Sequence, residues 1–131
     1  MSITQNVRDY LEKIKNGNCL GEKITLVAAT KTRTAEEINE AIRAGIADVG
    51  ENKVQEFREK YDLVNGGNRH FIGHLQTNKV KYLIGKTCLI HSLDRDELAE
   101  ELDRRSQKAG VVTDVLIEVN IGSELSKSGY S

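Results

Sequence analysis

The chain lacks proline and tryptophan, has two cysteines among 131 residues, and carries almost no net charge. Its 19 basic and 20 acidic side chains give a formal charge of -1, which indicates no basic surface for nucleic acid or anionic lipid. No apolar run approaches the roughly 18 residues of a membrane span, and the polar start does not resemble a signal peptide. We therefore expect a cytoplasmic protein that contacts neither nucleic acid nor membrane.

Several motifs of common functional classes are also missing. Cys19 and Cys88 lie far apart without a neighbouring Cys or His, so a CxxC redox or zinc motif is excluded and we expect two buried free thiols. The chain has no GxGxxG, no Walker A motif and no GxSxG. Dinucleotide, nucleoside triphosphate and hydrolase functions therefore lose their main sequence support.

The sequence instead alternates between strand and helix patterns. A helix with apolar residues from Ile3 to Ile14 comes first, and capping-box patterns begin later helices at Thr34 and Asp94. Five strands are predicted, at residues 24–30, 47–49, 70–73, 88–91 and 112–121. This alternation predicts parallel strands with right-handed crossovers in a single domain over residues 1–131. The fold class is α/β, either a doubly wound sheet or a barrel.

Ligands of both α/β folds bind at the carboxyl ends of the strands. Polar residues follow four of the predicted strands, at 30–32, 50–52, 73–76 and 91–92. Lys31 follows an apolar strand, which would hold its stem in a partly desolvated rim and favour the neutral, nucleophilic amine. On position alone, a lysine that merely extends to solvent is the more typical case. Position alone does not decide between these interpretations.

Three further polar residues are candidates for the same end of the fold. Asn52 can hydrogen-bond to a ring or a phosphate, or it can cap a helix. His74 and His91 are predicted to be hydrogen-bonding residues at the mouth of the fold. Because His70 and His74 are predicted to lie at opposite ends of a short strand, we expect no metal site.

Five ordered segments carry a family resemblance: VAATKT at 27–32, GENKVQE at 50–56, HFIGHLQTNK at 70–79, LIHSLD at 89–94, and VN at 119–120 with ELSKSG at 124–129. In these segments the chain resembles the pyridoxal phosphate homeostasis proteins. The resemblance spans the whole chain. It implies a (β/α)8 TIM barrel similar to the cofactor domain of bacterial alanine racemase, with about the first five β/α units present.

The resemblance also implies a cofactor and a site. Lys31 is the position that holds pyridoxal 5'-phosphate as a Schiff base, Asn52 lies beside the cofactor, and His74 and His91 line the mouth. Members of the family bind the vitamin and distribute it, without established turnover, so PLP-dependent apoenzymes are implied partners. One alternative is a PLP-dependent amino-acid racemase or another Schiff-base barrel enzyme, although the second base of a racemase has no candidate. The other is an interaction module without cofactor.

The chain departs from the family pattern in sequence and in length. Arg33 and Thr34 stand where a lysine and a proline are common. A complete barrel takes about 250 residues and eight strands, and its phosphate site is built from the loops after strands seven and eight. We therefore expect a fragment or half of an assembly, with weak cofactor affinity of its own. Self-association through the open strand edges is a further expectation.

Overall fold

The computed structural model describes residues 2–122, 124–125 and 127–131, so Ser126 of the last family segment lies outside the described residues. In chain order the elements are α1 (Ile3–Ile14), β1 (Val27–Ala29), α2 (Ala35–Arg43), β2 (Asp48–Glu51), α3 (Val54–Lys60), β3 (Asn68–Phe71), a 3-10 helix (Thr77–Tyr82), β4 (Leu89–Leu93), α4 (Asp96–Ala109) and β5 (Val115–Ile117). The prediction of an α/β fold with five strands is confirmed.

The five strands form one parallel sheet in the order β1-β2-β3-β4-β5. Each strand lies beside the one that precedes it, so right-handed crossovers place all the connecting helices on the same face. A doubly wound sheet reverses its strand order and carries helices on both faces. The sequential order therefore favours the barrel, in which helices form an outer ring.

Two hydrophobic clusters lie between the helices and the sheet. The first joins β3 and β4 to the 3-10 helix and α4; its fully buried members are Phe71, Leu75, Val80, Leu83, Ile90 and Leu98. The second joins α1 and α2 to β2; its buried members are Val7, Ile38, Ile46, Val49 and Val64. Because side chains alternate along a strand, the neighbours of these core residues point away from the helices. We call that side of the sheet, which carries Ala29, Gly50, His70 and His91, the inner face.

The helix boundaries follow the capping chemistry of the sequence in two places and depart from it in one. Thr34 Oγ1 accepts the Glu37 N–H at 3.1 Å and Glu37 Oε1 accepts the Thr34 N–H at 3.0 Å, which completes the predicted capping box of α2. Gly110, with φ 69°, ends α4, because glycine adopts the left-handed conformation without strain. Asp94 does not cap α4, because Arg95 occupies that position while the Asp94 carboxylate pairs with Arg95 and His74.

All five strands differ from their predicted bounds. β1 and β5 are three residues long, and β3 begins two residues before its predicted start. The hydrophobic pattern overestimates the length of β1 because Leu26, which lies before the ladder, still packs against the second cluster. The alternation and order of the elements are unaffected.

The surface of the described structure corrects the expectation for the thiols. Cys19 and Cys88 are both exposed, so the prediction of buried cysteines was wrong. Cys19 lies in a polar turn, and Cys88 immediately precedes β4, at the amino-terminal end of that strand. Within the described ranges no helix has the length and apolar character needed to cross a membrane.

Candidate functional site

Two of the candidate residues leave neighbouring strands at the same level. The register pairs Ala29 with Gly50, and two residues further along each strand come Lys31 and Asn52. The Thr30 N–H donates to the Gly50 carbonyl at 2.9 Å, which closes this last pair of the ladder. Lys31 and Asn52 therefore follow directly at the same carboxyl end of the sheet, each two residues beyond the last pair.

The two histidine candidates lie at different depths. His91 lies in the middle of β4, not after it, so its predicted position beyond the strand was wrong. The register aligns Phe71 with Ile90 on one side and with Glu51 on the other. One residue further along each strand, His91 is therefore level with Asn52. His74 lies three residues beyond β3, exposed, with Nδ1 3.6 Å from Asp94 Oδ2. The structure brings His91 to the inner face and leaves His74 at the rim.

His91 belongs to a polar chain that runs along the inner face. His91 Nε2 lies 2.9 Å from His70 Nδ1, and His70 Nε2 lies 2.9 Å from Asp48 Oδ1. Burial, followed by the proximity of His70, lowers the pKa of His91 below its ordinary value of 6.5. His91 is therefore a neutral imidazole at neutral pH. Sequence analysis missed His70 and Asp48 as its partners because nothing local signals their pairing across strands.

Lys31 is exposed, so the expected partial desolvation of its stem is not observed. The residue that follows, Thr32, has φ 64°, the one positive φ of a non-glycine residue among the described residues. A β-branched residue in this region is strained by about 1–3 kcal/mol. The Thr32 N–H donates to Glu56 Oε2 at 2.9 Å, which ties this turn to α3. The turn that presents Lys31 is thus held in an unfavourable conformation by a tertiary contact.

A buried ionic network lies beneath the turn. Lys60 Nζ donates to the Thr30 carbonyl at 3.0 Å, to Glu51 Oε2 at 3.2 Å and to Glu56 Oε2 at 2.8 Å, so all three ammonium protons have acceptors. Thr30 Oγ1 donates to the same Glu51 oxygen at 2.5 Å. Burial alone lowers the pKa of Lys60, but its hydrogen bonds with Glu56 and Glu51 hold the pKa above 10.5. The network joins α3 to the ends of β1 and β2, from which Lys31 and Asn52 extend.

Sequence analysis did not identify this network. Glu56 and Lys60 have the i,i+4 spacing of an ordinary exposed ion pair on a helix. This spacing is the sequence pattern that could have indicated the network. The decisive partner, Glu51, is only 8% exposed and comes from a strand.

Asn52 provides an observation that points to a ligand. Its side-chain Oδ1 is buried and has no hydrogen-bond partner within the part of the chain that the structure describes. The Asn52 backbone packs so closely on Gly73 that a Cβ at that position would lie 2.1 Å from the Asn52 carbonyl oxygen. Buried polar atoms normally have a partner, so an unpaired amide oxygen level with Lys31 favours a bound molecule there.

The strain at Thr32 gives a prediction for stability. We expect Thr32→Asn to raise the free energy of unfolding by up to about 1 kcal/mol, because asparagine tolerates the left-handed region better than threonine. Thr25→Asn, in an exposed segment without positive φ, is the matched control and should change stability little. Chemical denaturation measures both. Equal effects of the two substitutions would show that Thr32 stores no strain.

Fold and site together define a class: an α/β protein with barrel strand order and an exposed lysine at the carboxyl end of its first strand. No family model matches the chain. It is 53% identical to a pyridoxal phosphate homeostasis protein of Aquifex aeolicus, over 97% of this chain and 55% of that protein. It is 42% identical to a protein of the same name from Escherichia coli K12, over 82% of this chain and 48% of that protein.

Solved structures agree with these sequence relatives. The structure of PipY from Synechococcus elongatus with PLP bound superposes with a TM-score of 0.85 at 28% identity, over 99% of this chain and 58% of PipY. An unknown protein from Bifidobacterium adolescentis gives a TM-score of 0.84 at 32% identity, over 98% of this chain and 59% of that protein. The chain is thus similar, over nearly its whole length, to pyridoxal phosphate homeostasis proteins. It spans a little over half the length of the first of these curated relatives.

Proposed function

We propose that the chain binds pyridoxal 5'-phosphate as a Schiff base on Lys31 and serves vitamin B6 homeostasis without catalytic turnover. The observation that carries the proposal is that Lys31 lies at the same end of the sheet as Asn52, whose buried Oδ1 is unpaired within the described ranges. When bound, the cofactor supplies an aldehyde carbon that an amine joins reversibly with loss of water. Relatives named for pyridoxal phosphate homeostasis and the PLP-bound PipY structure support this function.

In this proposal three residues complete the cofactor site around Lys31. Asn52 Oδ1, which has no partner within the described residues, can accept a hydrogen bond from the ligand. His91 lies on the inner face level with Asn52, held by its contact with His70. His74, at the rim beside Asp94, can contact the exposed side of the ligand. The network around Lys60 fixes the strand ends, so these groups are positioned before the ligand arrives.

The wider role follows from the reversibility of an imine. We propose that the protein releases the cofactor by exchange to PLP-dependent apoenzymes in the cytoplasm. Residues 1–131 form one portion of a barrel in this proposal. The exposed apolar side chains of the β5 edge, including Leu116 and Ile117, favour self-association. Sedimentation as a monomer at high protein concentration would contradict self-association alone.

Spectroscopic titration tests the proposed function. We expect excess pyridoxal phosphate to give a yellow absorption band that saturates near one cofactor per chain and fades on dilution. The same samples, incubated with single-enantiomer amino acids, should show no racemisation. Absence of a saturable band would contradict cofactor binding, whereas racemisation that requires Lys31 would favour the enzyme alternative.

A further inference from the structure

The opposite end of the inner face carries a second cluster of chemically active side chains. Asp48 begins β2, His70 lies in β3, and Cys88 immediately precedes β4. One ligand atom from each residue lies within 4.8 Å of the other two. Three adjacent strands thus bring a carboxylate oxygen, an imidazole nitrogen and a thiol sulfur to one point. Lys31 leaves the sheet at its other end.

We propose that Asp48, His70 and Cys88 bind a divalent transition metal ion, with Zn²⁺ as the best match. Zinc accepts this combination of oxygen, nitrogen and sulfur ligands and prefers four-coordinate tetrahedral geometry. Bond lengths of about 2.0–2.3 Å place the ligand atoms of such a site about 3.3–3.8 Å apart. Small side-chain rotations therefore convert the observed cluster into a coordination sphere.

The groups around the cluster are arranged as supports for metal ligands. A ligating histidine usually donates its second ring N–H to a neighbouring acceptor, which fixes the tautomer and the ring orientation. His70 coordinates through Nε2 in this proposal, and its Nδ1 already lies 2.9 Å from His91 Nε2. Asn68 Nδ2 donates to Asp48 Oδ1 at 3.1 Å, which orients the carboxylate. Metal binding replaces the direct contact between Asp48 and His70 Nε2.

Charge and exposure are consistent with a three-ligand site. The carboxylate and the thiolate together neutralise Zn²⁺, and the thiol proton is released to solvent when the metal binds. His70 is buried, Asp48 is half-buried and Cys88 is exposed, so the fourth position faces solvent and is available to water. Lys23 opposes metal binding, because its positive charge acts on Asp48 and would repel a cation bound there.

Neither the cysteine nor the histidine analysis of the sequence detected this cluster. The ligands lie 22 and 18 residues apart along the chain, at 48, 70 and 88, which matches no zinc motif. Only the parallel register brings the three strands together at this point. Our expectation that the chain has no metal site rested on local spacing.

Metal titration of the reduced chain tests the proposal. Co²⁺ serves as the spectroscopic probe, and Zn²⁺ is titrated against a chromophoric chelator. We expect one equivalent of each to bind, with a thiolate-to-cobalt charge-transfer band and tetrahedral ligand-field absorption. Cys88→Ser should remove the charge-transfer band and weaken Zn²⁺ binding at least about tenfold. Cys19→Ser is the matched control, because Cys19 is also an exposed thiol, and it should bind as the unmodified chain does.

A second variant keeps the test independent of the thiol. Asn68 is exposed, and within the described residues its side chain makes a hydrogen bond only with the proposed ligand Asp48. Asn68→Ala should weaken Zn²⁺ binding about 10–100-fold while leaving the fold intact by circular dichroism. Failure of the unmodified chain to bind, or equal affinities of the Cys88→Ser and Cys19→Ser variants, would overturn the proposal. Neither outcome affects pyridoxal phosphate binding at Lys31.

Discussion

Lys31→Ala is expected to abolish the saturable yellow absorption that pyridoxal phosphate produces with this protein. Alanine removes the amine that forms the reversible bond, so apparent affinity should fall at least about tenfold, equivalent to 1.4 kcal/mol. Because Lys31 is exposed, the substitution should leave the free energy of unfolding nearly unchanged. A spectroscopic titration of the variant, with unfolding measured in parallel, checks both expectations.

Two further variants separate the imine from the charge and from nearby lysines. Lys31→Arg keeps a positive charge that can attract a phosphate but offers no nucleophilic amine, so it should also lack the band. Lys53→Ala is the matched control, because Lys53 is exposed and directly follows Asn52. It should titrate as the unmodified chain does. A normal absorption band in Lys31→Ala, or loss of the band in Lys53→Ala, would show that the imine forms on a lysine other than Lys31.

The second large effect is expected at Lys60. Lys60→Met should lower the free energy of unfolding by about 3–5 kcal/mol, because the buried carboxylate of Glu51 loses its cationic partner. Domains of this kind are stable by only about 5–15 kcal/mol, so the variant should unfold at a much lower denaturant concentration. Its native fraction should also bind less pyridoxal phosphate, since the network positions the turn that carries Lys31.

A double substitution and a surface control make the Lys60 result specific. Glu51→Gln combined with Lys60→Met removes both charges and should be clearly more stable than Lys60→Met alone. Lys15→Met breaks the exposed pair of Lys15 with Glu12 and should cost less than about 1 kcal/mol. If Lys60→Met and Lys15→Met lowered the free energy of unfolding by similar amounts, the buried ion pair of Lys60 would stabilise the fold no more than an exposed pair.

Local sequence signals predicted the fold well because they act over a few residues. Thr34 caps α2 through a residue three positions away, and Gly110 ends α4 through its own backbone conformation. The apolar runs located every strand, although their ends were displaced where residues such as Leu26 pack without joining the ladder. Order and parallel direction follow from the alternation of elements.

The candidate site was predictable only in part. Strand ends located Lys31 and Asn52, since the carboxyl ends of parallel strands share one edge of the sheet. The contacts of His91 with His70, and of Lys60 with Glu51, depend on register and on packing between elements. In the sequence these charged and polar residues resemble ordinary exposed positions. The positive φ of Thr32 had no sequence signal, because threonine is not typical of that conformation.

Chemical trapping tests the central claim most directly. Borohydride reduces the Schiff base of bound pyridoxal phosphate and leaves the cofactor permanently attached to the lysine that held it. Proteolysis and mass spectrometry of protein reduced at one equivalent of cofactor then identify that lysine. Our account predicts a single dominant modification, on the peptide that contains Lys31. Modification spread over several lysines, or concentrated on any lysine other than Lys31, would contradict it.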